Sequence, residues 1–151
     1  MPSIHIQYHI PSRTFTAVDE NRNQVNFQSM PDGTERPQLD GLSHDVRPMQ
    51  ALLMALGSCS GIDIVAILEK QRQVFDSFAL IITGEREQDK VPALWIKAHV
   101  DFILEGALDA DKVQRAAALS IDKYCSVAET LRRAGCAVSY TVHLNEKIPQ
   151  A

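Results

Sequence analysis

Apolar residues recur along this chain with different periods, and the changes of period divide it into elements. Residues 4–10 (IHIQYHI) alternate apolar and polar with a period of two, the mark of a half-buried strand. Pro11-Ser12 interrupts the pattern, and Phe15–Val18 resumes it as a second strand. Asp19-Glu20-Asn21-Arg22-Asn23 has turn chemistry, which makes Gln24–Phe27 the hairpin partner. Ser29–Val46 reads as loop with a turn at Pro31-Asp32-Gly33, and loops of that length are usually functional or mobile.

From Arg47 to Gln73 the period disappears, because apolar residues fall on nearly every face of a helix: Leu52, Leu53, Met54 and Leu56, then Ile62, Ile64, Val65, Ile67 and Leu68. A helix apolar all round is a buried helix. Pro48 suits its first position, and Gln50 falls where a capping-box side chain would reach back. Its centre is Gly57-Ser58-Cys59-Ser60-Gly61, small residues around one thiol. Each glycine costs about 1 kcal/mol against alanine, so another element must approach this backbone closely or the helix must bend there.

Strand periodicity returns at Phe75–Glu85 and, after the charged turn Arg86–Pro92, at Leu94–Leu104, which Gly106 ends. Leu108-Asp109 caps a second helix in which Val113, Ala116, Ala117 and Ser120 share a face. Ser126-Val127-Ala128-Glu129 reads as a capping box for a helix from just after Cys125 to Arg133, with Gly135 at C′. Ala137–Leu144 alternates as a final strand. The order β-β-β-α-β-β-α-α-β is an α+β layout, helices on antiparallel sheet, and the 151 residues suit a single domain spanning 1–151.

A net charge of −4 argues against nucleic acid or an anionic membrane as partner. The N-terminus MPSIHIQYHI lacks the basic flank and apolar run of a signal peptide. The central helix has the length of a membrane span, but Gln50, Asp63 and its small polar centre argue against one. Three cysteines point to a reducing compartment, hence a cytoplasmic protein. The five histidines follow no metal-binding spacing, and no phosphate loop, dinucleotide fingerprint or GxSxG elbow occurs, so neither metal nor cofactor is expected.

A single cysteine is ordinarily a small core hydrophobe, and Cys136 is read that way. Cys59 differs in having only glycine and serine around it, which leaves its sulfur approachable. Cys125 differs in preceding a helix, where unpaired N–H groups and the dipole favour a thiolate. Asp63 lies four residues after Cys59 and so on the same helical face. A buried carboxylate there needs a cation, which Lys123, Arg13 or Arg47 could supply; an ion pair or a solvated cleft edge is the alternative to a catalytic role.

The segment RPMQALLMALGSCSGIDIVAIL, followed by SIDKYCSVAETL, resembles the OsmC/Ohr superfamily, the osmotically inducible and organic hydroperoxide resistance proteins. The resemblance covers nearly the whole chain and is closest to the general OsmC-like branch. It implies an intertwined homodimer, antiparallel sheets around long buried central helices, with an active site at each side of the interface. It also implies thiol-dependent reduction of small organic hydroperoxides, with Cys59 at the position of the attacking cysteine and Cys125 at that of the resolving one. The reductant it suggests is a lipoyl-type or other small dithiol. In the family's enzymes an arginine from the N-terminal strands stabilises the thiolate and is held by a glutamate at the start of the central helix. Arg13 is the nearest counterpart of the arginine, with Arg22 and Arg47 as rivals, and the glutamate position is occupied here by Met49 and Gln50. Gln50 can orient a guanidinium but not neutralise it. Two other readings are a non-catalytic OsmC-like dimer that binds an apolar ligand or partner, and a hot-dog thioesterase, which would have no use for Cys125.

Overall fold

In the computed structural model, which describes residues 1–10, 14–27 and 45–146, the strands and helices fall in two compact units, Met1–Ala51 and Leu52–Ala151. Arg13, His44 and the turn read at Pro31-Asp32-Gly33 lie outside the described residues. The first unit carries a sheet in the order β1 (Ile4–His9), β2 (Thr14–Asp19), β3 (Gln24–Phe27) and β4 (Asp45–Val46). β1, β2 and β3 pair antiparallel, with Ile4 opposite Asp19 and Phe15 opposite Phe27. The turn between β2 and β3 forms because Asp19 Oδ1 accepts from the backbone N–H groups of Asn21 and Asn23, while Arg22 takes a φ of 66°. β4, two residues at the end of the stretch read as loop, pairs parallel with β3.

The second unit holds the hydrophobic core. β5 (Ser77–Arg86), β6 (Trp95–Glu105) and β7 (Ala137–Leu144) form a sheet in that order, with β5 and β6 antiparallel. β7 runs parallel to β6 rather than antiparallel, because the chain between them crosses over through two helices. Ala98, Val100, Phe102 and Leu104 alternate along β6 and are all buried. They join Val113, Ala116 and Ala117 of α2 (Ala110–Leu119) and Ala128 and Leu131 of α3 (Ser126–Arg133) in one core.

The central helix α1 spans Pro48–Lys70. It buries Leu56, Gly57, Ser60, Gly61, Ile64 and Leu68, a single face, whereas its sequence pattern predicts burial all round. Ile62, on the far side of the helix, is 70% exposed, and Met54, at the edge of the buried face, is 53% exposed. α1 is long and apolar enough to cross a membrane, with a mean hydropathy of 2.0, yet its buried residues belong to the core above. The glycines answer to close packing: a Cβ at Gly57 would stand 2.5 Å from Ile82 Cδ1 on β5.

α2 starts where the sequence predicts, with Asp109 Oδ1 accepting from the N–H groups of Asp111 and Lys112. It runs on into a π-helical turn, Ser120–Tyr124, closed by the Cys125 N–H donating to Ser120 O over 2.8 Å. α3 has the predicted span but not the predicted cap. Cys125 is the N-cap, its sulfur accepting from the Ala128 N–H, and Glu129 pairs with Arg133 one turn on instead of reaching back. Its end is a Schellman turn in which Gly135, at φ 93°, lets the Cys136 N–H reach Leu131 O.

A test of the α1–β5 contact follows. Gly57→Ala should destabilise the protein by about 1–3 kcal/mol through overpacking. Ile82→Val removes the atom that the new methyl meets, so the double variant should be less destabilised than the sum of the two single changes. Additive urea-denaturation results would show that this approach does not govern the site.

Candidate active site

Small residues at the centre of α1 determine what can lie against it. Ser60 is fully buried and turns its hydroxyl back onto its own helix, donating to Leu56 O at 2.8 Å and Gly57 O at 3.1 Å. Its carbonyl, an acceptor within α1, has a second lone pair, and the equally buried Ser120 donates to it over 2.9 Å. This bond seats the π-turn on α1 one residue from Cys59. Arg132 of α3 holds the same turn from its other side, donating to Ile121 O at 2.8 Å and to Asp122 Oδ1 at 3.0 Å. Wide turns of this kind are found disproportionately at functional sites.

The result is a three-residue cluster. The sulfurs of Cys59 and Cys125 and a carboxylate oxygen of Asp63 all lie within 4.8 Å of one another. Cys59 is half-buried and Cys125 is 3% exposed, and neither is bridged. The reading that a helix start favours a Cys125 thiolate meets a stronger opposing effect. Burial pushes this thiol up to about 11, with Cys59 adding to the rise, and the Ala128 N–H that donates to the sulfur only partly offsets it. Cys136, also pushed up by burial, stands outside the cluster at the start of the last strand, as a core residue would.

Asp63 lies at the edge of a cavity, one of the settings its sequence position suggested. Its Oδ2 is buried and, among the described residues, accepts no hydrogen bond. Lys123, one of the cations proposed for it, lies instead over the Tyr124 ring, 5.4 Å from the centroid. Asp63, Ile67, Lys70, Gln71, Leu119 and Tyr124 line a cavity of about 540 Å³ beside the cluster. The two sulfurs and one oxygen would give a divalent ion three donors, one short of a structural zinc site.

Two of the other residues named from sequence are in the first unit: Gln50 is exposed in the first turn of α1, and Arg22 sits in the β2–β3 turn. Among the described residues no histidine joins a potential metal-binding group. His143 is held between carboxylates instead, 2.8 Å from Asp101 and 2.9 Å from Glu146, and Asp101 first, then Glu146, raises its pKa. Sequence reasoning missed both this network and the Ser60–Ser120 bond. The buried pairing of two serines has no local signature, although Ser120 does fall on the predicted inner face of α2.

The OsmC-like protein family model matches residues 41–141, and this chain belongs to that family. Protein YhfA of Escherichia coli K12 is 42% identical over 99 residues, 64% of this chain and 73% of YhfA. Among solved structures, an OsmC-like protein from Mycoplasma pneumoniae superimposes with a TM-score of 0.76 at 13% identity, over 97% of this chain and 98% of its own. A hypothetical protein from Aquifex aeolicus VF5 does so at 0.74 and 22%, over 97% and 98%. An organic hydroperoxide resistance protein OsmC from Legionella pneumophila follows at 0.64 and 12%, over 93% and 96%. At these identities the likeness establishes the fold.

Proposed function

We propose that this protein is a thiol-dependent peroxidase that reduces small organic hydroperoxides, with Cys59 attacking and Cys125 resolving. The observation that carries this reading is the placing of two unbridged sulfurs, distant in sequence, within 4.8 Å of each other. The Cys59 thiolate attacks the peroxide O–O bond, the alcohol leaves, and a sulfenic acid remains on Cys59. Cys125 then attacks that sulfur and water leaves as the disulfide forms. A lipoyl-type or other small dithiol restores both thiols by exchange. The apolar walls of the 540 Å³ cavity, Ile67, Leu119 and the Tyr124 ring among them, suit the organic part of the substrate. Arg13 stabilises the Cys59 thiolate in this reading, with Gln50 orienting it by a neutral hydrogen bond. The protein works in the reducing cytoplasm and needs no cofactor or metal.

With a small organic hydroperoxide and dihydrolipoamide as the dithiol, the protein should turn over continuously. Cys59→Ser should abolish the reaction. Cys125→Ser keeps an oxygen to cap α3 but should stop intramolecular disulfide formation and leave a trappable sulfenic acid. Hydroperoxide consumption that survives Cys59→Ser would contradict the assignment.

A second observation concerns the open side of α1. Met54, Ile62, Val65, Phe78, Leu80 and Ile82 border an apolar groove of about 750 Å³. The reading we favour is that a second copy covers it, giving the homodimer the family suggests, through an interface on the order of 2,000 Å² or more. The same groove also favours the non-catalytic alternative, an OsmC-like dimer that binds an apolar ligand or partner. Sedimentation at micromolar concentration should show a dimer; a stable, folded monomer would exclude it.

A further inference from the structure

Disulfide formation requires a proton to move, and the buried Cys125 thiol is poorly placed to lose one to water. Among the described residues, the cluster around it offers one carboxylate acceptor. Asp63, one turn along α1 from Cys59, brings a carboxylate oxygen within 4.8 Å of both sulfurs, a gap that one side-chain rotation or one water closes. A structural carboxylate would have its buried oxygen hydrogen-bonded, yet Asp63 Oδ2 accepts nothing among the described residues. We propose that Asp63 is the proton carrier of the disulfide-forming step, taking the Cys125 proton and returning it to the hydroxide that leaves Cys59.

This inference rests on the thiol-pair reading above and balances as follows. Cys125–SH and the Asp63 carboxylate give a thiolate and a carboxylic acid. The thiolate's electron pair forms the S–S bond while the S–O bond of the Cys59 sulfenic acid breaks. The departing hydroxide takes the proton from Asp63 and leaves as water, so the carboxylate is regenerated. Cys59 and Cys125 end at the oxidation level of a disulfide, the hydroperoxide having supplied the oxidising equivalents. Among the described residues, the titratable groups that share the cluster or its cavity with Asp63 are Cys59 and Lys70 on α1, Tyr124 on the π-turn and Cys125 at the α3 cap.

The step can be isolated from peroxide chemistry with the aromatic disulfide 5,5′-dithiobis(2-nitrobenzoate), in a Cys136→Ser background. Cys59 attacks it and releases one coloured thiolate; Cys125 then attacks the Cys59 mixed disulfide and releases a second. In Asp63→Asn the second release should slow by about 10²-fold, the scale of general acid–base assistance, while the first is not slowed. Asp63→Glu should recover part of the loss. Since burial, the first cause that raises the Cys125 thiol, persists when Cys59 is capped, the second phase in Asp63→Asn should rise about tenfold per pH unit between about pH 6 and pH 8, and the parent protein should rise less steeply. Cys59 is capped during this phase, and Lys70 and Tyr124 are common to both proteins. A second phase of unchanged rate and pH slope in Asp63→Asn overturns the proposal. Because no hydroperoxide enters the assay, that failure is distinct from failure of the peroxidase reading.

Discussion

The arrangement of this molecule hangs on one buried hydrogen bond, from the Ser120 hydroxyl to the Ser60 carbonyl. Ser120 is excluded from water, so leaving its hydroxyl unpaired would cost about 1–3 kcal/mol. That penalty fixes where the π-turn lies on α1, and the turn's own closing bond from Cys125 N–H to Ser120 O fixes the second thiol five residues on. Cys59 is covalently next to Ser60. The distance between two cysteines 66 positions apart is thus set by a serine pair adjacent to one and a single turn before the other. Small side chains make this possible, since Gly57 and Gly61 bring β5 against the same stretch of α1.

The two thiols consequently differ in their surroundings. Cys59 sits in mid-helix, half-buried, among residues too small to shield it. Cys125 has the helix N-terminus that would ordinarily favour a thiolate, but it is 3% exposed and burial dominates. A thiol so placed stays protonated until a partner sulfur and a proton acceptor are both at hand. In the proposed mechanism that acceptor is the carboxylate beside it, whose buried oxygen accepts no hydrogen bond among the described residues.

Much of the fold was legible because period and punctuation agree. The alternation of Gln24–Phe27 and Ala137–Leu144 and the Gly135 stop give those elements their observed limits. The direction of β7 was not legible, since alternation is the same in parallel and antiparallel strands. Nor was the one-sided burial of α1: an apolar pattern reports that a surface will be covered, not which chain covers it. At the site, the small-residue setting of Cys59 and the i+4 relation of Asp63 could be read directly. The capping box misled at Ser126 because a buried sulfur one residue earlier took the cap, a choice made by the tertiary docking of the π-turn. That Asp63 Oδ2 accepts no hydrogen bond among the described residues had no signal, for a missing partner is a property of three-dimensional surroundings alone.

The proposed chemistry depends on the pairing of Cys59 with Cys125. Its most direct test is to treat the reduced protein with one equivalent of a small organic hydroperoxide and map the cysteine-containing peptides by mass spectrometry. The expected product is a Cys59–Cys125 disulfide formed with loss of two thiols per hydroperoxide, Cys136 remaining reduced. A bridge that includes Cys136, or retention of all three thiols, would contradict it.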